Sequence, residues 1–428
     1  MLALLLPPTN VGAWTMLMGI WQPHFWILVS AMFLALVLTP ICRTIAMHWH
    51  IYDQPDQLLK THHRPIPYLG GVAIFLAWLI PVLVVAGSQM ANPDAIPRET
   101  EQVIRAVGQN PPERWIEHPA TLFWICGAAL LIMLLGLLDD LKNISPTLKI
   151  LGQVLAALLL AAGGVVFLAF PAISVGNYTL FPPHNWLVVT LGVLFQIVLV
   201  VGAANATNLL DGLDGLCSGV TAFISFGFLL VATGLLAWGI YKPDLAPYYA
   251  NAEIIVLLSF ALLGAVLGFL PYNFNPASIF MGDAGSMFLG FLAATFLILF
   301  AEQWNGVKWF LAATVIFGLP IFDTGLALVR RLVNHKPIFT GDRSHFYDQL
   351  VDRGCSVRTS VLINYGLAVF FGLSGVGISM IRLRYALSIS LLIFAAIAVA
   401  ALKLGLVRVD DKKKPASTNP PETETSDR

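Results

Sequence analysis

The residues best suited to chemistry are aspartates at the ends of apolar runs. Asn205, Asn208, Asp211 and Asp214 recur every three residues in Asn205-Ala-Thr-Asn-Leu-Leu-Asp-Gly-Leu-Asp-Gly-Leu216, directly after the apolar run from Trp186 to Ala204. That spacing puts all four on one face if the segment is helical. Carboxylates at membrane depth are costly to desolvate, so the cluster calls for a cation, a partner or a cavity. Asp139 and Asp140 close a second apolar run, with Lys142 and Lys149 just beyond. Adjacent carboxylates beside a lysine suit a divalent cation or a general base of tuned pKa. Asp283, in Phe280-Met-Gly-Asp-Ala-Gly-Ser286, puts a carboxylate among the backbone donors of a helix start, a combination that suits a metal and a phosphate together. Taken singly, each stretch also reads as a polar turn between helices.

Two further loops carry cations. Asp53-Gln-Pro-Asp56 is followed by Lys60-Thr-His-His-Arg-Pro-Ile-Pro-Tyr-Leu-Gly-Gly71, where paired glycines allow close backbone approach to an anion. The same basic run also reads as a juxtamembrane anchor to anionic lipid. Gly341-Asp-Arg-Ser-His345 offers Arg343 and His345 to a diphosphate. Asp323 reads either as the ion-pair partner of Arg330, seven residues on, or as a catalytic acid.

The elements that must position these groups are membrane helices. The 428 residues are 57% hydrophobic and only 11% charged, with a mean hydropathy of +0.79, far from the roughly 25% charged residues of a soluble domain. Zero net charge gives no argument for a nucleic-acid partner, and none is expected. The four cysteines are widely separated and form no CxxC pair, so neither a disulfide framework nor a zinc site is expected. Apolar windows predict an all-α polytopic membrane protein of about eleven transmembrane helices, near Phe25–Met47, Leu69–Gly87, Thr121–Leu138, Leu148–Phe170, Trp186–Ala204, Leu216–Ile240, Asn251–Pro271, Gly285–Ala301, Lys308–Val329, Val361–Ile381 and Tyr385–Leu404. Residues 1–24 are expected as an interfacial lead-in without a cleavable signal, 25–405 as one catalytic domain and 406–428 as a disordered tail.

With that parity, 17 of the 24 Lys and Arg residues fall on the side of the odd-numbered loops and the tail, which makes that side cytoplasmic. The acids of those loops are Asp53, Asp56, Asp139, Asp140, Asp211, Asp214, Asp283, Asp323, Asp342, Asp348 and Asp352, with no Glu among them. Short carboxylates on several loops of one face predict a single composite site. A transporter would fit the hydropathy equally well but places ionisable groups near the midplane on broken helices. A CDP-alcohol phosphotransferase also uses Asp beside Gly, but its Asp-Gly-xx-Ala-Arg element is missing after Asp211-Gly212 and Asp214-Gly215.

The ordered set Lys60…Pro65-Ile-Pro-Tyr-Leu-Gly-Gly71, Asp139-Asp140, Asn205-xx-Asn-xx-Asp-Gly-Leu-Asp-Gly215, Asn273-xx-Pro-xxx-Phe-Met-Gly-Asp283-x-Gly-Ser and Asp342-Arg-x-His345 resembles the polyprenyl-phosphate N-acetylhexosamine-1-phosphate transferases, a family that includes the MurNAc-pentapeptide transferase. The resemblance spans roughly Asp53 to Gly354. It implies a multi-pass enzyme of the bacterial cytoplasmic membrane, its site and C-terminus cytoplasmic, moving a sugar-1-phosphate from a UDP-sugar to undecaprenyl phosphate with release of UMP. Asp139 and Asp140 would then be the catalytic pair, and Asp211 and Asp283 would complete the catalytic set. The chemistry makes Asp140 either the base for the lipid phosphate or a purely electrostatic group, with Asp139 positioning it or touching the metal. Asp283, Asn208 and Asp211 would hold Mg²⁺, with Mn²⁺ as an alternative. Lys60, Asn205 and Asp214 would contact substrate, Asn273 and Phe280 the uridine, and Arg343 and His345 the diphosphate or sugar. Membrane lipids are implied partners, and a homodimer is an open option. Many envelope-polysaccharide members carry several histidines in the last loop, whereas here His345-Phe-Tyr-Asp348 keeps one. The histidine-rich signature of the pentapeptide enzyme is absent, which favours UDP-GlcNAc as donor.

Overall fold

The computed structural model describes residues 5–53, 65–92, 94–110, 116, 119–168, 174–175, 178–179, 185–242, 251–303, 306–335 and 345–406. In chain order these form α1 (Ala13–His48), β1 (Tyr52–Asp53), β2 (Ile66–Pro67), α2 (Gly70–Ala91), α3 (Arg98–Ala106), α4 (Ala120–Lys142), α5 (Pro146–Ala162), β3 (Ser174–Val175), β4 (Tyr178–Thr179), α6 (Trp186–Leu210), α7 (Leu216–Tyr241), α8 (Ala252–Asn273), α9 (Gly282–Ala301), α10 (Gly306–Ile316), α11 (Gly318–Val333), α12 (Phe346–Asp352), α13 (Val357–Ser379) and α14 (Leu383–Lys403). The strands are two antiparallel pairs of two residues each, β1 with β2 and β3 with β4.

Every apolar window read from the sequence contains a helix, and among the described residues nine of these are long and apolar enough to cross a membrane. Two windows take other forms. The fourth is α5, only 17 residues long, or about 26 Å at 1.5 Å per residue, short of the roughly 30 Å hydrocarbon core. The ninth is broken: α10 and α11 meet at 70°. Pro320 explains the break, because its ring lacks an N–H and clashes with the carbonyl four residues back, at Ile316, the last residue of α10. At the other end of the chain α1 begins at Ala13, so half of the expected lead-in is helical. Thr100 donates to the Gly19 carbonyl at 2.8 Å there, tying α3 to α1.

The helices sort by depth. The whole apolar window of α9 is buried, as are 89% of that of α7 and 83% of that of α8, whereas α14 buries 17% and α1 and α6 28% each. α7, α8 and α9 therefore form the centre, and the others turn apolar faces outward, as a bilayer requires. Gly264 and Gly268 of α8 face the main-chain carbonyls of Leu28 and Met32, so α1 packs on α8 backbone to backbone.

Candidate active site

The turn after α4 sets the first aspartates. Asn143, left-handed at φ 48°, ends α4 and donates to the Asp139 carbonyl. The Ile144 N–H donates to Asp139 Oδ1 at 2.9 Å. Ser145 then caps α5 ahead of Pro146, which places Lys149 in the first turn of α5, looking back at α4. Lys149 Nζ pairs with Asp139 Oδ2 and, at 2.7 Å, with Asp283 Oδ2.

Asp140 serves the start of α9. Its Oδ1 accepts from the Asp283 N–H at 2.8 Å and its Oδ2 from the Ala284 N–H at 3.0 Å, so it covers two of the orphan donors of that helix. Gly282 makes room: its φ is +67°, and an added Cβ would run into the Asp140 carboxylate. Tyr68 donates to the Asp140 carbonyl at 2.7 Å. The loop holding Tyr68 is fastened to the one before α9 through main-chain bonds, Phe280 N–H to Pro67, Gly70 N–H to Phe280 and Gly71 N–H to Met281.

α6 stops at Leu210, where Gly212 and Gly215 (φ +79°) take the chain through a turn into α7. The four polar residues spaced by three are therefore not on one helical face. Asn208 Nδ2 reaches Asp283 Oδ1 at 2.8 Å and Ser286 at 3.0 Å. Asp214 accepts from Asn275 and from the Ala277 N–H, both at 2.9 Å, and so holds the loop before α9. Asp211 remains: among the described residues no hydrogen bond reaches its carboxylate. Burial pushes its pKa well above the ordinary carboxylate value, and the negative charges of Asp283, Asp140 and Asp214 push it further.

These groups line a cleft of about 390 Å³, with Asp53, Asp139, Asp140, Asp211, Asp214 and Asp283 on its wall together with Asn208, Asn273, Tyr68 and Phe280. Among the described residues no Lys, Arg or His is on that wall. A concentration of carboxylates this high, with Lys149 adjoining it, is relieved by protonation or by added positive charge. Oxygen donors of this kind suit a hard divalent cation. Among the described residues no three His, Cys, Asp or Glu side chains converge as a ready ligand set. Mg²⁺ takes one or two carboxylates and leaves its other positions to water and phosphate oxygens. The amide of Asn208 donates through Nδ2, which leaves its Oδ1 as the acceptor.

Two of the expected site residues are elsewhere. Asn205 donates to Gln153 Oε1 at 2.9 Å and to the Val201 carbonyl at 2.7 Å, facing α5 instead of the cleft, because one turn of helix separates it from Asn208. His345 is buried, its Nδ1 2.7 Å from Asp323 Oδ2, and is not on the cleft wall. Burial alone would lower its pKa, but the hydrogen bond and charge of Asp323 outweigh burial and leave it raised. Asp323 thus has an assignment that sequence reasoning did not consider. Asn273 reaches the wall while its Oδ1 accepts from the Gly215 N–H at 3.2 Å and Ser218 at 2.9 Å. Lys60 and Arg343 lie outside the described residues. Sequence reasoning left Lys149, Tyr68 and Ser286 out of the site. The lysine was signalled by its place one turn beyond the Asp pair, and Tyr68 by the Pro-Tyr-Leu-Gly-Gly motif.

Residues 122–301 match the family described as Glycosyl transferase family 4. The chain is 32% identical over 387 residues, 90% of its length and 93% of the relative's, to a Bacillus subtilis (strain 168) protein named "Probable undecaprenyl-phosphate N-acetylglucosaminyl 1-phosphate transferase". It is 27% identical, over 79% of this chain and 85% of the relative, to a Thermotoga maritima protein named undecaprenyl-phosphate alpha-N-acetylglucosaminyl 1-phosphate transferase. It is 32% identical to the phospho-N-acetylmuramoyl-pentapeptide-transferase of Aquifex aeolicus over 58% of this chain and 66% of that one.

Proposed function

The chain belongs to glycosyl transferase family 4, and on that premise we propose that it transfers N-acetylglucosamine-1-phosphate from a UDP-linked donor to undecaprenyl phosphate and releases UMP. One observation carries the reading from the structure: among the described residues, six aspartates at or near the ends of apolar helices wall one cleft, with Lys149 beside it. A lipid phosphate confined to the bilayer and a soluble nucleotide sugar meet only at the membrane surface. An oxygen of the lipid phosphate attacks the β-phosphorus, the bond from that phosphorus to the bridging oxygen breaks, and UMP leaves. Both reactants are anions, so offsetting charge in the transition state is the main task.

Asp283, Asp211 and Asn208 Oδ1 would hold Mg²⁺, which when bound supplies that offset at the diphosphate. Lys149 keeps Asp283 and Asp139 at a fixed separation. The attacking phosphate already carries a negative oxygen at neutral pH and needs no base. Asp140 is then a positioning group that fixes the first turn of α9 and so aims Asp283, and not a base. Asn273 and Phe280 border the cleft where a uracil ring would lie. Loop charge supports a cytoplasmic position for this end of the molecule, with 17 of 24 cationic residues on its side.

The test is UMP release by the purified protein with undecaprenyl phosphate, Mg²⁺ and a panel of UDP-sugars. Turnover with UDP-GlcNAc is expected. Folded protein that turns over none of the donors would overturn the assignment.

A further inference from the structure

We propose that Asp323, His345 and Tyr347 form a buried brace that sets the position of the Asp211 turn, and through it the affinity of the cleft for its divalent cation. The inference rests on the cation reading given above. It starts from occupancy: both oxygens of Asp323 are used, Oδ2 by His345 Nδ1 at 2.7 Å and Oδ1 by the Phe346 N–H at 2.7 Å. Asp323, His345 and Tyr347 are 2%, 4% and 4% exposed, and none is on the cleft wall. They are therefore placed to act through another group, not on substrate.

The group they act through is the Asp211 turn. The Tyr347 ring lies parallel to the His345 imidazole, with centroids 5.5 Å apart and planes within 7°. Its hydroxyl donates to the Leu209 carbonyl at 2.8 Å, two residues before Asp211. On the other side of Asp211, Gly212 lies so close to the Tyr347 phenol that an added Cβ would overlap it. The chain is thus held two residues before Asp211 and at the residue after it, while the Asp211 carboxylate has no hydrogen bond among the described residues. That is the arrangement of a preorganised ligand: a fixed main chain and a free acid, supported by residues behind it.

Asp323 also lies in the first half of α11, just beyond the 70° break from α10. The brace consequently joins the broken helix to the cleft. Shifting α11 would move His345 and Tyr347 and release the turn.

The experiment is direct Mn²⁺ titration of purified wild type and Tyr347→Phe, read by electron paramagnetic resonance, alongside the Mg²⁺ dependence of UMP release. Phe keeps the ring contact and deletes only the bond to Leu209. The expected result is a dissociation constant for Mn²⁺ raised about tenfold, the scale of lost outer-shell support. The Mg²⁺ needed for half-maximal rate should rise by the same factor, with kcat at saturating Mg²⁺ changed less than about twofold. Gly212→Ala, which pushes on the same ring from the other side, should move the Mn²⁺ constant in the same direction. A merely structural role would lower thermal stability and leave the constant of the folded fraction alone. Unchanged Mn²⁺ affinity in both variants overturns the brace while leaving the cation site standing. Wild type that binds no Mn²⁺ overturns both.

Discussion

The two ends of α9 treat an acid in opposite ways. At its first turn Asp283 faces the cleft, shares Lys149 with Asp139, and has Asp140 and Asp211 as neighbours. Just past its last turn Glu302 accepts from the Val166 N–H at 2.7 Å and from Asn251 Nδ2 at 2.5 Å. Burial raises the pKa of Glu302 to about 8, so it is largely uncharged at neutral pH. The helix dipole acts in the same sense, favouring an anion at the N-terminus and opposing one at the C-terminus. Burying an acid does not by itself make a site. A site also needs uncompensated charge facing space that a ligand can enter.

Substitution at the two ends should separate them. Asp283→Asn should lower UMP release by at least about 10³-fold, as expected for loss of charge stabilisation at the reacting phosphate. Glu302→Gln should stay within about twofold of wild type, since it replaces a group that is largely neutral. Equal losses at both positions would erase the distinction. A smaller effect, about 10²-fold, is expected from Lys149→Met, which leaves Asp139 and Asp283 facing each other uncompensated. Partial recovery at raised Mg²⁺ would show that added cation replaces the ammonium.

The buried pair behind the cleft gives a pH test. The folded pKa of His345 lies above its ordinary 6.5. Its pairing with Asp323 is therefore fully stabilising below 6.5 and is lost as pH rises through the folded value. The difference in apparent Tm between wild type and Asp323→Asn should shrink across that window, and a constant difference would contradict it. The smallest change is expected from Glu302→Gln in thermal unfolding at neutral pH, under about 1 kcal/mol.

Much of this was legible in the sequence because a bilayer demands long apolar helices, and because Asp beside Gly recurs at the ends of several of them. The aspartates of three separate loops do meet in one cleft, joined there by Asp53. What was not legible depended on where helices stop. The three-residue spacing from Asn205 to Asp214 gives no sign that α6 ends at Leu210, which takes Asp211 and Asp214 off the helical face that carries Asn205 and Asn208. Pro320 marks a break in the ninth apolar run, but its angle depends on packing: Gly318 lies against the ring of Phe371 on α13. His345 reads as a ligand for an anion because sequence shows its charge and not its depth, and Asp323, its partner, is 22 residues away.

Gly71 and Gly285 touch main chain to main chain where α2 meets α9, with no room for a Cβ between them. The spacing of the frame at that crossing is consequently a property of peptide units and not of side-chain volume. Engineering should respect the difference: donor preference can be altered at wall residues such as Phe280 without disturbing the frame, whereas one methyl at Gly71 acts as a wedge that displaces Asp283 together with the rest of α9.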